Sequence, residues 1–129
     1  MIIPVEAVKE WLSADPLWAG YGFVFAQGKW QDTAANATQR ICYLGSMGGP
    51  VSRDPGVFYD SIRVTLLGPQ KGGADMKPIR DIAYAIRERL VDDFKVCGAA
   101  QLKMQASPIG PHFTIEERPW MELNIEVIS

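Results

Sequence analysis

One apolar stripe at helical spacing, set between strictly alternating stretches, limits what this chain can fold into. Residues 78–90 place Ile79, Ile82, Ala83, Ile86 and Leu90 on one side of a helix and Arg80, Arg87 and Glu88 on the other. Before the stripe, Phe58, Asp60, Ile62, Val64 and Leu66 alternate with Tyr59, Ser61, Arg63, Thr65 and Leu67. After it, Met121, Leu123, Ile125 and Val127 alternate with Glu122, Asn124 and Glu126. A period of two marks half-buried strands, each with one apolar and one wet face. The apolar faces and the helical stripe need each other for cover, so the spacing predicts a helix laid across a sheet.

The remaining segments extend this plan. Residues 4–12 read as a first helix, with Val5, Val8 and Leu12 at helical spacing and Trp11 beside them; Glu6, Lys9 and Glu10 take the wet side. Asp15-Pro16 stops it, because the residue before proline is pushed out of the helical region. Residues 21–27 alternate bulky Tyr21, Phe23 and Phe25 with Gly22, Val24 and Ala26, as a strand would. The polar stretch 28–39 reads as a loop or a wide hairpin, with Trp30 as its only apolar anchor. Strand 40–46 ends at Gly45 and the breaker Gly48-Gly49-Pro50, and 51–56, carrying Arg53, reads as an exposed loop. Residues 68–73 form a glycine-rich loop, with Asp75 as N-cap of the long helix and Pro78 in its first turn. Short strands are expected at 94–97 and 101–106, a turn at 107–111 and a last strand at 120–128. The expected fold is α+β: a single mostly antiparallel sheet with two helices packed on one face, one domain over residues 1–129.

Composition narrows the function classes. A chain of 129 residues with 47% hydrophobic and 22% charged residues can bury one sizeable core. Net charge is −2, and no basic cluster exceeds the spaced Arg80, Arg87 and Arg89, so sequence-independent nucleic-acid binding is not indicated. The start Met1-Ile2-Ile3-Pro4 lacks the pattern of a signal peptide, and no run approaches the roughly 20 apolar residues that cross a bilayer. A soluble chain made in a cytoplasm is the expectation. Cys42 and Cys97 then read as reduced packing residues, and with the lone His112 they are too few for a zinc site.

Chemistry-bearing motifs are sparse. His112 has no Ser or Cys nucleophile near it in sequence and reads as an exposed loop residue. Asp92-Asp93 and Glu116-Glu117 read as solvated pairs. Lys71-Gly72-Gly73 lacks phosphate-loop spacing. The sequon Asn36-Ala37-Thr38 has no secretory route to serve. No catalytic residue, cofactor or metal is expected. Of the four tryptophans, Trp11 and Trp18 are expected at the core's edge. Trp120 falls on the polar side of the last strand, which suggests burial either against a partner or under a loop of its own chain.

Taken in order, these features resemble the tail-terminator (tail-completion, or minor capsid) proteins of long-tailed bacteriophages. The resemblance rests on Gly48-Gly49-Pro50 after a strand, the 60–67 strand, and the helix through Ile82, Ala83, Ile86 and Leu90. It continues through Pro108-Ile109-Gly110 and Arg118 leading into a final strand with Asn124. It implies a structural protein of the virion, assembled in the host cytoplasm, without enzymatic activity. Its copies would form a ring, usually a hexamer, on the last ring of the tail-tube protein. That ring would end tube polymerisation, present a surface to head-completion or connector proteins, and let DNA pass through its lumen. Ring closure requires two different complementary faces on each copy. Candidate contacts are the polar sheet face and loops 47–57 and 68–75, with Arg53, Lys71, Arg118 and Trp120 as contact or lumen residues. Two other readings stay open: a head-closure or neck connector protein, and a small enzyme or ligand-binding module using a cleft with His112 at its mouth.

Overall fold

All five stripe residues, Ile79, Ile82, Ala83, Ile86 and Leu90, are buried, and the sheet they cover has seven strands. A computed structural model describes residues 3–28, 30–49, 59–92, 95–96 and 100–128. In chain order the elements are α1 (Pro4–Ala14), the single turn α2 (Pro16–Ala19), β1 (Val24–Gln27), β2 (Ile41–Ser46) and β3 (Tyr59–Leu67). They continue with α3 (Met76–Asp92), β4 (Lys95–Val96), β5 (Ala100–Met104), β6 (Ile109–Phe113) and β7 (Pro119–Ile128).

The strands lie in the order β1-β2-β3-β7-β5-β4, and β6 pairs with the first half of β7, end to end with β5. Every pairing is antiparallel except β1 with β2. The fold is thus the expected α+β arrangement. The long central pair β3–β7 fixes the register, Val64 opposite Leu123 and Leu66 opposite Met121, so the apolar halves of both alternations fall on one face. A slip of one residue would turn those side chains into water. On that face Cys42, Leu44, Ile62, Val64, Leu66, Leu102, Met121, Leu123, Ile125 and Val127 meet Val8, Trp11 and Leu12 of α1 and the α3 stripe in one core. Cys42 is a free, buried thiol, and burial pushes its pKa up. Trp18 belongs to the same core and stacks on Phe23 and Phe25, with centroids 4.6 and 5.6 Å away.

Several expectations change. Residues 28–40 do not form a hairpin: β1 and β2 run parallel, Val24 beside Ile41, so this segment is a crossover. The strand expected at 21–27 is shortened to Val24–Gln27, because the chain is still turning at Tyr21 and Gly22, where φ is +68°. Asp75 does not cap α3. A 3-10 turn, Gly73–Asp75, leads into the helix, and the Asp75 carboxylate turns instead to Arg40, accepting from Nε at 2.9 Å and Nη2 at 2.6 Å. The expected turn at 107–111 is in part strand β6, drawn into the sheet by pairing with β7. The loop read at 51–56, with Arg53, and the residues Phe94 and Cys97 lie outside the described residues.

A candidate assembly surface at one end of the sheet

The sheet face turned away from the helices carries Tyr43, Arg63, Thr65, Trp120, Glu122, Asn124 and Glu126, with Arg63 paired to Glu122 at 3.1 Å. At the end near Ile41, Leu67 and Trp120, this face stops being polar. Ile41 and Leu67 point outward by strand alternation, yet both are buried. The crossover 28–40 lies against this end of the sheet, and one side chain makes most of its attachment.

Arg118 is fully buried within the chain, at 0% exposure. Its Nε donates to both Asp32 oxygens at 3.0 Å. Its Nη1 donates to the carbonyls of Gln39 at 3.0 Å and Gly68 at 2.9 Å. Its Nη2 donates to the Asn36 carbonyl at 2.7 Å and to Asn36 Oδ1 at 3.0 Å, with Asp32 Oδ1 2.9 Å away. Each of the five guanidinium N–H groups can therefore find an acceptor. The Trp30 ring lies 5.5 Å from the guanidinium carbon, within cation–π reach.

The local backbone is shaped to admit this group. A Cβ at Gly68 would come within 2.7 Å of Pro119 Cγ and 3.0 Å of Asp75 Oδ2, so only glycine lets the 67–69 corner close over the guanidinium. In the crossover, Thr33 and Asn36 form a capping box around the 3-10 turn Ala34–Asn36, which aims the Asn36 carbonyl inward. Gln70 fastens the next loop, its amide N–H donating to the Ala37 carbonyl at 2.7 Å and its side chain to Asp32. A second clamp sits at the far end of the crossover. There Arg40 grips Asp75, donates to the Tyr21 carbonyl at 3.0 Å and lies over the Tyr21 ring.

Electrostatics follow from this packing. Burial pushes the Asp32 carboxyl toward protonation, but the hydrogen bonds from Arg118 and Gln70 and the Arg118 charge outweigh it. The carboxyl is held below the usual carboxylate range.

Of the four residues expected at contacts, three meet at this end and one falls outside the described residues, Arg53. Lys71 is exposed on the loop after Gly68, in a left-handed backbone with φ +54°, and its N–H donates to the Glu116 carbonyl at 3.3 Å. Trp120 is half-buried on the outer face, opposite Leu67 on β3 and His112 on β6, with the His112 ring 5.1 Å away. His112 is exposed, as expected, but on a strand rather than in a loop. Arg118 has no exposed area in the single chain and every donor in use, so within the chain it acts by shaping the surface around it. Sequence reasoning missed its partners Asp32, Asn36, Gln39 and Gly68. The Arg118–Asp32 pair spans 86 positions, and no local pattern announces it.

Among the described residues, no group of three or more His, Cys, Asp or Glu could hold a metal ion. No helix among them is long and apolar enough to cross a membrane. What this end of the molecule offers is a shaped surface of polar and apolar patches. Compared with known proteins, the sequence matches the family described as phage tail termination protein over residues 1–129. The chain belongs to that family. No curated protein and no solved structure matches it. Membership makes this terminator a component of the virion tail, in a family whose role there is structural.

Two predictions follow from the Arg118 network. Replacing Arg118 by Ala strips Asp32 of its charge partner and three carbonyls of their donor, and is expected to cost about 3–5 kcal/mol of folding stability by denaturant unfolding. Lys, with three donors and no planar fork, is expected to restore only a fraction. The second concerns pH. A carboxyl with a lowered folded pKa stabilises fully above its unfolded value of about 3.9, and that contribution is lost as pH falls through the lower folded value. Asp32→Asn should therefore be less stable than wild type near neutral pH and show a shallower decline in stability below about pH 4 in acid titrations.

Proposed function

We propose that copies of this terminator form a closed ring, six in number, on the last ring of the tail tube. The ring stops addition of further tube subunits and presents its far side to the head-completion or connector protein. DNA passes through its lumen without sequence-specific recognition, and assembly takes place in the host cytoplasm. The family match along the full sequence carries this reading. Its physical support is the outer sheet face, where an apolar end bounded by Trp120 and the crossover adjoins a charged middle of Arg63, Glu122 and Glu126. A mixed apolar and charged face suits contact with another protein, with aromatic residues at its centre. Head-to-tail closure needs two such patches that complement each other, and it gives a ring when the rotation between copies closes.

Tails assembled without this protein test the proposal directly. Electron micrographs should show tubes of irregular, excessive length that fail to join heads, and purified protein added during polymerisation should restore a uniform length with a cap at one end. Tubes of normal length in its absence, with the protein found only on filled heads, would assign it to the neck instead.

A further inference from the structure

Two edges of the sheet, β1 and β6, carry outward backbone groups that find no partner among the described residues. At the first, the Val24 N–H donates to the Arg40 carbonyl at 2.8 Å, and Val24 lies beside Ile41 in the parallel register. Alternation then turns the N–H and C=O groups of Phe25 and Gln27 away from β2. At the second, Thr114 donates its N–H to the Arg118 carbonyl at 2.9 Å, so Phe113 points its N–H and C=O away from β7. Pro111, two residues earlier, has no N–H to leave unpaired, as suits an edge. Both edges also expose apolar side chains: Val24 is 45% in water, Ile109 42% and Phe113 48%.

The strand registers put these two edges at one height. His112 lies opposite Trp120, Trp120 opposite Leu67, Leu67 opposite Ile41, and Ile41 beside Val24, so a single row crosses the sheet from β6 to β1. A second row runs from Ile109 through Glu122, Thr65 and Tyr43 to Ala26. Directions match as well. β6 is antiparallel to β7, β7 to β3 and β3 to β2, while β1 runs with β2, so β1 and β6 run in opposite senses. The other short edge strand, β4, does not qualify. It sits at the level of Gln101, Ile128 and Tyr59, beyond the last row of β1, which ends at Gln27, Leu44, Val64 and Leu123.

We propose that β6 of one copy pairs antiparallel with β1 of the next, so that the sheet continues from copy to copy. Rotation about an axis parallel to the strands brings the edges together at equal height, Val24 beside His112 and Ala26 beside Ile109 on the outer face. One position before Val24, the Phe113 ring then falls beside Phe23, on the face toward the helices, where Phe23 stacks on Trp18 at 4.6 Å. A cross-strand aromatic pair adds to the main-chain bonds. Two different edges of one molecule meet, so the contact is heterologous and repeats around a ring. The inference rests on the ring reading above and names the surfaces that would make it.

Val24→Cys and His112→Cys proteins, each also carrying Cys97→Ser, test it on tail tubes under mild oxidation; native Cys42 is buried. In the proposed register the two positions form a non-hydrogen-bonded pair with Cα atoms about 4.5 Å apart, a span that a disulfide can bridge. A disulfide-linked dimer is expected only when the two proteins are mixed. No dimer in the mixture, or a dimer from either protein alone, would overturn the proposal. Wild-type protein bound at tube ends is scored alongside. Its presence without the mixed dimer removes the edge pairing and keeps the termination reading, whereas its absence removes both. In addition, Phe113→Asp should raise the concentration that caps half of the tubes by about thirty-fold, the loss typical of an anchoring side chain, while its melting temperature stays that of wild type. An unchanged capping concentration would contradict the proposal.

Discussion

The guanidinium of Arg118, closed inside the chain on Asp32 and the carbonyls of Asn36, Gln39 and Gly68, is the interaction on which the outer surface of this protein depends. The helices and the apolar sheet face would form one core without it, since that core holds neither Arg118 nor its partners. What would lose its form is the far side, where a crossover, a glycine-rich loop and a tight turn must be held on the end of a sheet. None of these three has enough apolar side chains to anchor itself. One planar cation with five donors can hold the crossover and the glycine-rich loop, because each offers it an acceptor, and the backbone of the same residue closes the turn.

A buried ion pair is costly to desolvate, and its net contribution to stability is often small even when removing one partner is severe. Here its worth lies in geometry. The carboxylate of Asp32, also bound by Gln70, fixes the start of the crossover, and the Trp30 ring lies over the cation. The crossover and the exposed turn at this end of the sheet are thus set by one buried residue. Lys71 and Trp120 sit on the exposed rim of the same construction. Tail termination, as a structural task, asks for such preorganised surfaces, because loops ordered only on binding would cost association free energy.

Much of the fold was legible because it follows local periodicity. The α3 stripe and the alternations in β3 and β7 each specify one buried face, and Ile62, Val64, Leu66, the five stripe residues, Met121, Leu123, Ile125 and Val127 are buried as that periodicity demands. Proline marked the end of α1 correctly, since Asp15 before Pro16 is extended, with ψ 123°. The crossover was not legible, because parallel pairing of β1 with β2 depends on where the chain returns, and a polar stretch like 28–40 looks the same in a hairpin. Asp75 misled for a related reason: a short acidic side chain before a helix suits a cap, but Arg40 outbids the backbone amides with two charge-assisted bonds. Arg118 was singled out from sequence, but its burial was not legible, since arginine before a strand reads as exposed unless its carboxylate partner can be seen.

Amide hydrogen exchange of Asp32→Asn against wild type tests the central claim most directly, because the change removes the charge of the pair while keeping its size. The account predicts faster exchange in residues 30–40 and in the 114–118 turn, with protection in β3 and β7 unchanged. Unchanged exchange in the crossover, or an equal loss of protection across the whole sheet, would contradict it.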